Sequence, residues 1–336
     1  ALLKIIPRSQ FLSAMSLMSL AGLIGPLLGP ALGGWLVQVA TWHWIFFINL
    51  PMGVLGIIMC LKVMPNHTEP SVKPFDFSGF ILLMIAMVGL SLGIENIAKP
   101  QSSILLSMGC IAAGMIAALS YAYHAHSQQN ALFHSRLFRY KIYSIGILGN
   151  FFARLGSNAI PFVLPLMLQV AFGFAPLLTG LMMIPLVLGA LCSKPIIRPI
   201  IQAVGYRRFL LVNTVLLGLC IASFALMTAS TPLWLKVLHL FIFGTLNSLQ
   251  FVGMNTLTLK DLPQQDASSG NSFLSMMMML SMSIGVALAG TLINVFSQYF
   301  NPASISTAFH ATLLTLGAMN IITAWIFWQI PAETAD

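Results

Sequence analysis

The chain of 336 residues is 58% hydrophobic and only 7% charged, with a mean hydropathy of +0.92, where a soluble domain carries charge on about a quarter of its residues. That composition excludes an ordinary soluble globule and indicates an all-α polytopic membrane protein with about ten spans of about 20 residues each. The net charge of +8, from 15 Lys and Arg against 7 Asp and Glu, fits loops that face anionic headgroups rather than a nucleic-acid partner.

No basic, then apolar, then small-residue pattern of a removable signal follows Ala1, and the start is expected to be a cut. Apolar runs between Pro, Gly and charged residues predict spans at about 11–37, 43–64, 77–96, 103–125, 143–170, 175–197, 208–228, 233–257, 269–297 and 307–329. Alternating connections then put Lys4, Arg8, Lys62, Lys73, Arg136, Arg139, Lys141, Lys194, Arg198, Arg207, Arg208 and Lys260 on one side of the membrane. The other side receives only Lys99 and Lys236. By the positive-inside rule both ends of the chain face the cytoplasm.

The first span holds Gly22, Gly25, Pro26, Gly29, Pro30, Gly33 and Gly34. Glycines three to four apart admit another helix to backbone contact, and the prolines bend the axis. A tightly packed, kinked interface is expected, although spacing alone does not say what crosses the membrane. The acids lie at span ends or in loops, and the deepest is Glu95, a candidate coupling residue about one turn inside an outer edge. After the fourth span, His124, His126 and His134 come with no carboxylate or thiol among them, so no metal site is assigned. Cys60, Cys110, Cys192 and Cys220 lie singly, which indicates neither a disulfide framework nor a zinc site.

The fifth span carries Arg154, the one cation placed near mid-membrane. Burial there costs about 2.5–3.5 kcal/mol, so such a residue turns toward a cavity or a partner. Asn150, Arg154, Ser157, Asn158, Pro161, Pro165 and Gln169 recur at three- and four-residue intervals and share one face. This polar stripe suits either a helix lining a substrate cavity or hydrogen-bonding contact between helices. The eighth span repeats the pattern through His239, Phe243, Asn247, Gln250 and Met254. Asn150, Arg154, Asn158, Gln169, Asn247 and Gln250 are the candidate cavity residues, and Arg154, Glu95 and His239 the candidates for coupling. Arg207 and Arg208 sit in a cytoplasmic loop, where they also suit the role of positive-inside anchors.

Gly25-x-x-x-Gly29-Pro30-x-x-Gly33-Gly34 resembles the antiporter motif, motif C, in the fifth helix of the drug:proton antiporters of the major facilitator superfamily. The following Trp42-His43-Trp44-Ile45-Phe46-Phe47-Ile48-Asn49-Leu50-Pro51-Met52-Gly53 is similar to the block that opens the sixth helix of the 14-spanning DHA2 branch, with His43 where many members carry Arg. Similarity continues through Gly180-Leu181-Met182-Met183-Ile184-Pro185 and from Asn255 to Ser272. The loop motif is kept only as Gly205-x-Arg207-Arg208, since Gln202-Ala203 replaces its Asp-Arg pair, and a charge-relay gate is not expected there.

The resemblance implies that the spans are helices 5–14 of a 14-helix parent, so the chain is expected to be a fragment without the first four. It assigns residues 1–64 to the end of an N-terminal bundle bearing motif C, 65–142 to an inserted two-helix linker region, and 143–336 to a C-terminal six-helix bundle. It further implies export of small amphipathic molecules or drugs by proton antiport and alternating access across the bacterial inner membrane. The proton gradient then stands in place of any cofactor, and the partners are substrate, protons and the bilayer, with no nucleic acid. A monomer is expected, and a membrane-fusion partner is left unassigned. The coupling acid falls in the missing helices, so the chain alone is not expected to transport. The alternatives are a metabolite or siderophore exporter of the same fold, or a non-transporting truncated homologue. An enzyme is not expected, because no H-E-x-x-H, no G-x-S-x-G and no intramembrane Asp pair is present.

Overall fold

The computed structural model describes residue 29 and residues 32–63, 75–97, 103–128, 131–300 and 305–331. Within them the chain forms α1 (32–39), α2 (Trp44–Phe47), α3 (Asn49–Val63), α4 (Phe77–Ile97), α5 (Ile104–Ser127), α6 (Lys141–Ser157), α7 (Ile160–Leu166), α8 (Pro176–Met182), α9 (Ile184–Cys192), α10 (Lys194–Ser223), α11 (Leu233–Lys260), α12 (Gln264–Tyr299) and α13 (Ile305–Trp328). Away from their ends, helices satisfy their backbone groups within the segment, which a lipid environment demands.

Eight helical stretches are long and apolar enough to cross a membrane, and each falls on one of the predicted spans. Two expectations need correction. The span foreseen at 175–197 is a shorter apolar helix, Pro176–Cys192, broken at Met183. Pro185 follows that break and cannot donate to the turn before it. The connection foreseen between 197 and 208 is helical, because α10 starts at Lys194 and runs on, interrupted only at Gly205 with φ 76° and ψ 158°. A side chain there would be strained, so the interruption falls on glycine. Of the span foreseen at 11–37, Gly25, Pro26 and Pro30 lie outside the described residues.

Helix α6 is the axis of the C-terminal bundle, packed against α11, α12 and α13, while α10 packs on α11 and α13. Small residues set the closest seams. A Cβ added at Gly218 would lie 2.8 Å from the Gly317 carbonyl oxygen, and one at Gly114 would lie 2.8 Å from Leu90 N. Helices α4 and α5 thus form a tight pair, which leans on α12, where the Ser91 and Ser283 hydroxyls hydrogen-bond.

The linker 131–140 ties this pair to the bundle. Asp76 accepts from His124 at 2.8 Å, from Gly79 N at 2.9 Å and from Leu132 N at 3.4 Å. Burial raises the Asp76 carboxyl, but the bonds from Gly79, His124 and Ser78 outweigh it and hold the group below the ordinary carboxylate value. At the other end of the linker, Arg136 donates to Asp266 at 2.7 Å, and that bond raises the guanidinium above its ordinary value.

Candidate functional site

Arg154 lies midway along the span Lys141–Ala171 and is only 5% exposed. Its Nε donates to Asn150 Oδ1 at 3.1 Å, one turn earlier on α6, and its Nη2 donates to Asn255 Oδ1 of α11 at 3.3 Å. The guanidinium plane sits 4.3 Å from the centre of the Phe251 ring, also on α11. Asn150 is itself fully buried and held by donation to the Gly146 carbonyl and to Thr258 Oγ1, at 3.1 and 3.0 Å. Each contact spans one helix turn or the α6–α11 seam, so the regular spacing on two helices builds the cluster. Among the described residues no carboxylate pairs with Arg154. A cation held by neutral amides and an aromatic face keeps its whole charge for whatever else reaches it.

The lower part of the same stripe meets the glycine helix. A cavity of about 640 Å³ is lined by Gly29, Gly33, Gly34, Val37 and Ile45 on one side and by Pro161, Pro165, Gln169, Pro176, Thr179, Gly180, Met183, Leu186 and Val187 on the other. A Cβ at Gly34 would come within 2.5 Å of the Pro176 carbonyl oxygen, so this approach requires a residue without a side chain. Pro165 lies inside α7, and the helix continues past it as a π-helical turn over Met167–Ala171.

The other candidate residues are placed apart from these two features. Asn158 is half-buried and ends α6, its N–H donating to the Arg154 carbonyl at 2.9 Å. Asn247 is half-buried on α11, about two turns before Asn255. Gln250, foreseen on the cavity wall, is 1% exposed and lies inside the α10–α11 seam instead. It accepts from Asn213 at 2.7 Å and donates to Thr214 at 2.6 Å, so its buried amide joins α10 and α11. His239 stacks on Phe224 with centroids 4.0 Å apart and donates to the Cys220 carbonyl at 3.1 Å. Glu95 is exposed near the end of α4, a helix that packs on α5 and α12 rather than on α6. Arg207 and Arg208 follow the Gly205 kink, with Arg207 5.1 Å from the Trp328 ring centre.

Two features escaped the sequence reading. Asn255 and Phe251 complete the Arg154 cluster, and their signal was present as the interval of four that joins Asn247, Phe251 and Asn255. Lys236, counted only as an outer-side charge, is 1% exposed. Its ammonium donates to the Ala229 carbonyl at 3.0 Å and lies 5.2 and 5.0 Å from the Phe172 and Phe174 ring centres. Those rings come from the turn before α8, and no local pattern announces that they close over a lysine on α11.

Comparison with known proteins agrees with this architecture. The family model described as Major Facilitator Superfamily matches residues 1–264 and 146–336. "Putative multidrug resistance protein MdtD" of Escherichia coli O6:H1 (strain CFT073) is 46% identical over 337 residues, covering 99% of this chain and 71% of the relative. The proteins of the same description from E. coli O6:K15:H31 (strain 536) and E. coli O139:H28 (strain E24377A) are each 45% identical with the same coverage. With matches over nearly its whole length and helices built to span a bilayer, the chain belongs to the Major Facilitator Superfamily and is a multi-pass membrane transporter rather than an enzyme.

Proposed function

We propose that this protein exports small amphipathic molecules in exchange for protons, by alternating access, across the bacterial inner membrane with its C-terminus in the cytoplasm. The observation that carries this reading is the cavity of about 640 Å³ whose walls come from the motif C glycines and from the proline-bearing segments α7 to α9. Binding sites of such transporters lie near mid-membrane, where helical bodies meet and rock against one another. The backbone-close packing of Gly34 on Pro176 supports a second role for motif C, a seal against leak. The relatives' description as multidrug resistance proteins supports the drug side of the reading.

Arg154 favours a second reading, a metabolite exporter of the same fold. Its charge has no carboxylate partner among the described residues, and Phe251 stands beside it. A substrate with an anionic group and an apolar body complements that pair better than a cation does. Inverted vesicles from cells expressing the intact gene separate the two. Proton release on adding cationic dyes, lost in Arg154→Ala, supports drug antiport, whereas release by carboxylates alone supports metabolite export. Silence across both panels, with folded protein in the membrane, overturns proton antiport.

A further inference from the structure

We propose that the seam between α10 and α13 binds an anionic phospholipid of the cytoplasmic leaflet, with its phosphate on Arg207 and Arg208 and one acyl chain along the helices. Two neighbouring cavities carry the argument. The first, of about 500 Å³, is walled by Gly205, Tyr206 and the two arginines. The second, of about 450 Å³, is an apolar groove over Val212, Val215, Leu216 and Trp325. Both share Leu211 and Trp328, so a charged pocket opens directly into an apolar furrow. The Arg207 guanidinium stands over the Trp328 ring at that junction.

The match is to a headgroup and a chain together. A soluble anion would satisfy the arginines but leave the furrow without an occupant, and a bare acyl chain would leave the arginines unanswered. Among the described residues neither guanidinium pairs with a carboxylate, so the described walls of the pocket carry positive charge and suit a phosphate. Trp325 and Trp328 are 72% and 62% exposed, as side chains at the level of the headgroups are. The Gly205 kink sets Tyr206, Arg207 and Arg208 where the helix restarts.

The choice of leaflet rests on the cytoplasmic placement proposed above, whereas the site itself is tested without it. The full chain in neutral detergent is titrated, by native mass spectrometry, with phosphatidylglycerol and phosphatidylcholine of equal chain length. The expected result is binding of phosphatidylglycerol on the order of tenfold tighter. The preference should vanish in Arg207→Gln/Arg208→Gln, and fall partway in Arg208→Gln alone, a change at an exposed position. Val215→Trp should fill the furrow and weaken both lipids alike. Equal affinities in the wild type, or a preference that survives the double change, overturns the proposal. Displacement of the lipid by millimolar inorganic phosphate does so too, since it marks a site for free anions. Failure of proton release leaves these titrations unaffected, and failure here leaves the transport reading intact.

Discussion

Two helical stretches show how this molecule distributes its polarity. Among the described residues, the most apolar window of Phe77–Ile97 has a mean hydropathy of 2.3 and is 22% buried, whereas that of Lys141–Ala171 has a mean hydropathy of only 1.4 and is 61% buried. In a soluble protein the more apolar helix goes inside. In a bilayer an apolar side chain is satisfied by lipid, while a polar one must find protein, so the more polar helix is drawn to the centre. Arg154 and Asn150 accordingly sit on the axis of the bundle, while Phe80, Met84 and Val88 of α4 are exposed among the described residues.

If that contrast is right, the largest effect belongs to Arg154. Arg154→Ala should reduce export more than tenfold in vesicle assays and leave the buried Asn150 amide oxygen without its donor, at about 1–3 kcal/mol. Arg154→Lys should restore stability in part but not the forked contacts to Asn150 and Asn255. Full activity in Arg154→Ala would reduce the cluster to packing.

Close seams come next. Gly218→Val drives a side chain against the Gly317 backbone, and Gly34→Val against Pro176. Overpacking of this kind costs about 1–3 kcal/mol. Gly218→Val should lower the melting temperature, and Gly34→Val should chiefly alter transport or proton leak. Reversal of that pattern would break the distinction between bundle core and cavity seam.

A smaller effect is expected at Gln250. Gln250→Leu removes the bonds to Asn213 and Thr214 and should cost about 1 kcal/mol in thermal unfolding, with substrate affinity unchanged. A changed substrate profile would return Gln250 to the cavity wall.

The linker supplies a pH test. Asp76 is held below its ordinary value of 3.8, so its contribution is complete above that pH and is lost as pH falls through the lower folded value. Attachment of the α4–α5 pair, read by cross-linking across Ser91 and Ser283, should therefore be constant from pH 7 to about 4.5 and loosen below about pH 4. Asp76→Asn should loosen it at neutral pH by less than about 1 kcal/mol. The smallest change is predicted for Met84→Ala at an exposed position of α4, within about 0.5 kcal/mol.

Much of the fold was legible because spanning is a local property: length and hydropathy suffice to locate the eight long helices. Boundaries near proline and glycine were less legible. Pro185 permits either a kink or an end, and Gly205 reads equally as loop or as a single left-handed residue inside a helix. The polar stripe was visible, but not which residues bonded across a seam. Spacing gave Gln169 and Gln250 the same standing, although one is exposed on the cavity and the other is enclosed between helices.

By itself, then, the amino-acid order determined that the chain is helical and membrane-spanning, that one arginine lies at mid-depth, and that one span is glycine-dense. These follow from composition and from the 3.6-residue period, which act within a single helix. Tertiary structure alone decided that Asn255 and Phe251 close on Arg154, that Phe172 and Phe174 enclose Lys236, and that Gly34 meets Pro176. Each of those contacts joins segments distant in sequence, and its existence depends on how whole helices rotate and cross, which no local pattern encodes.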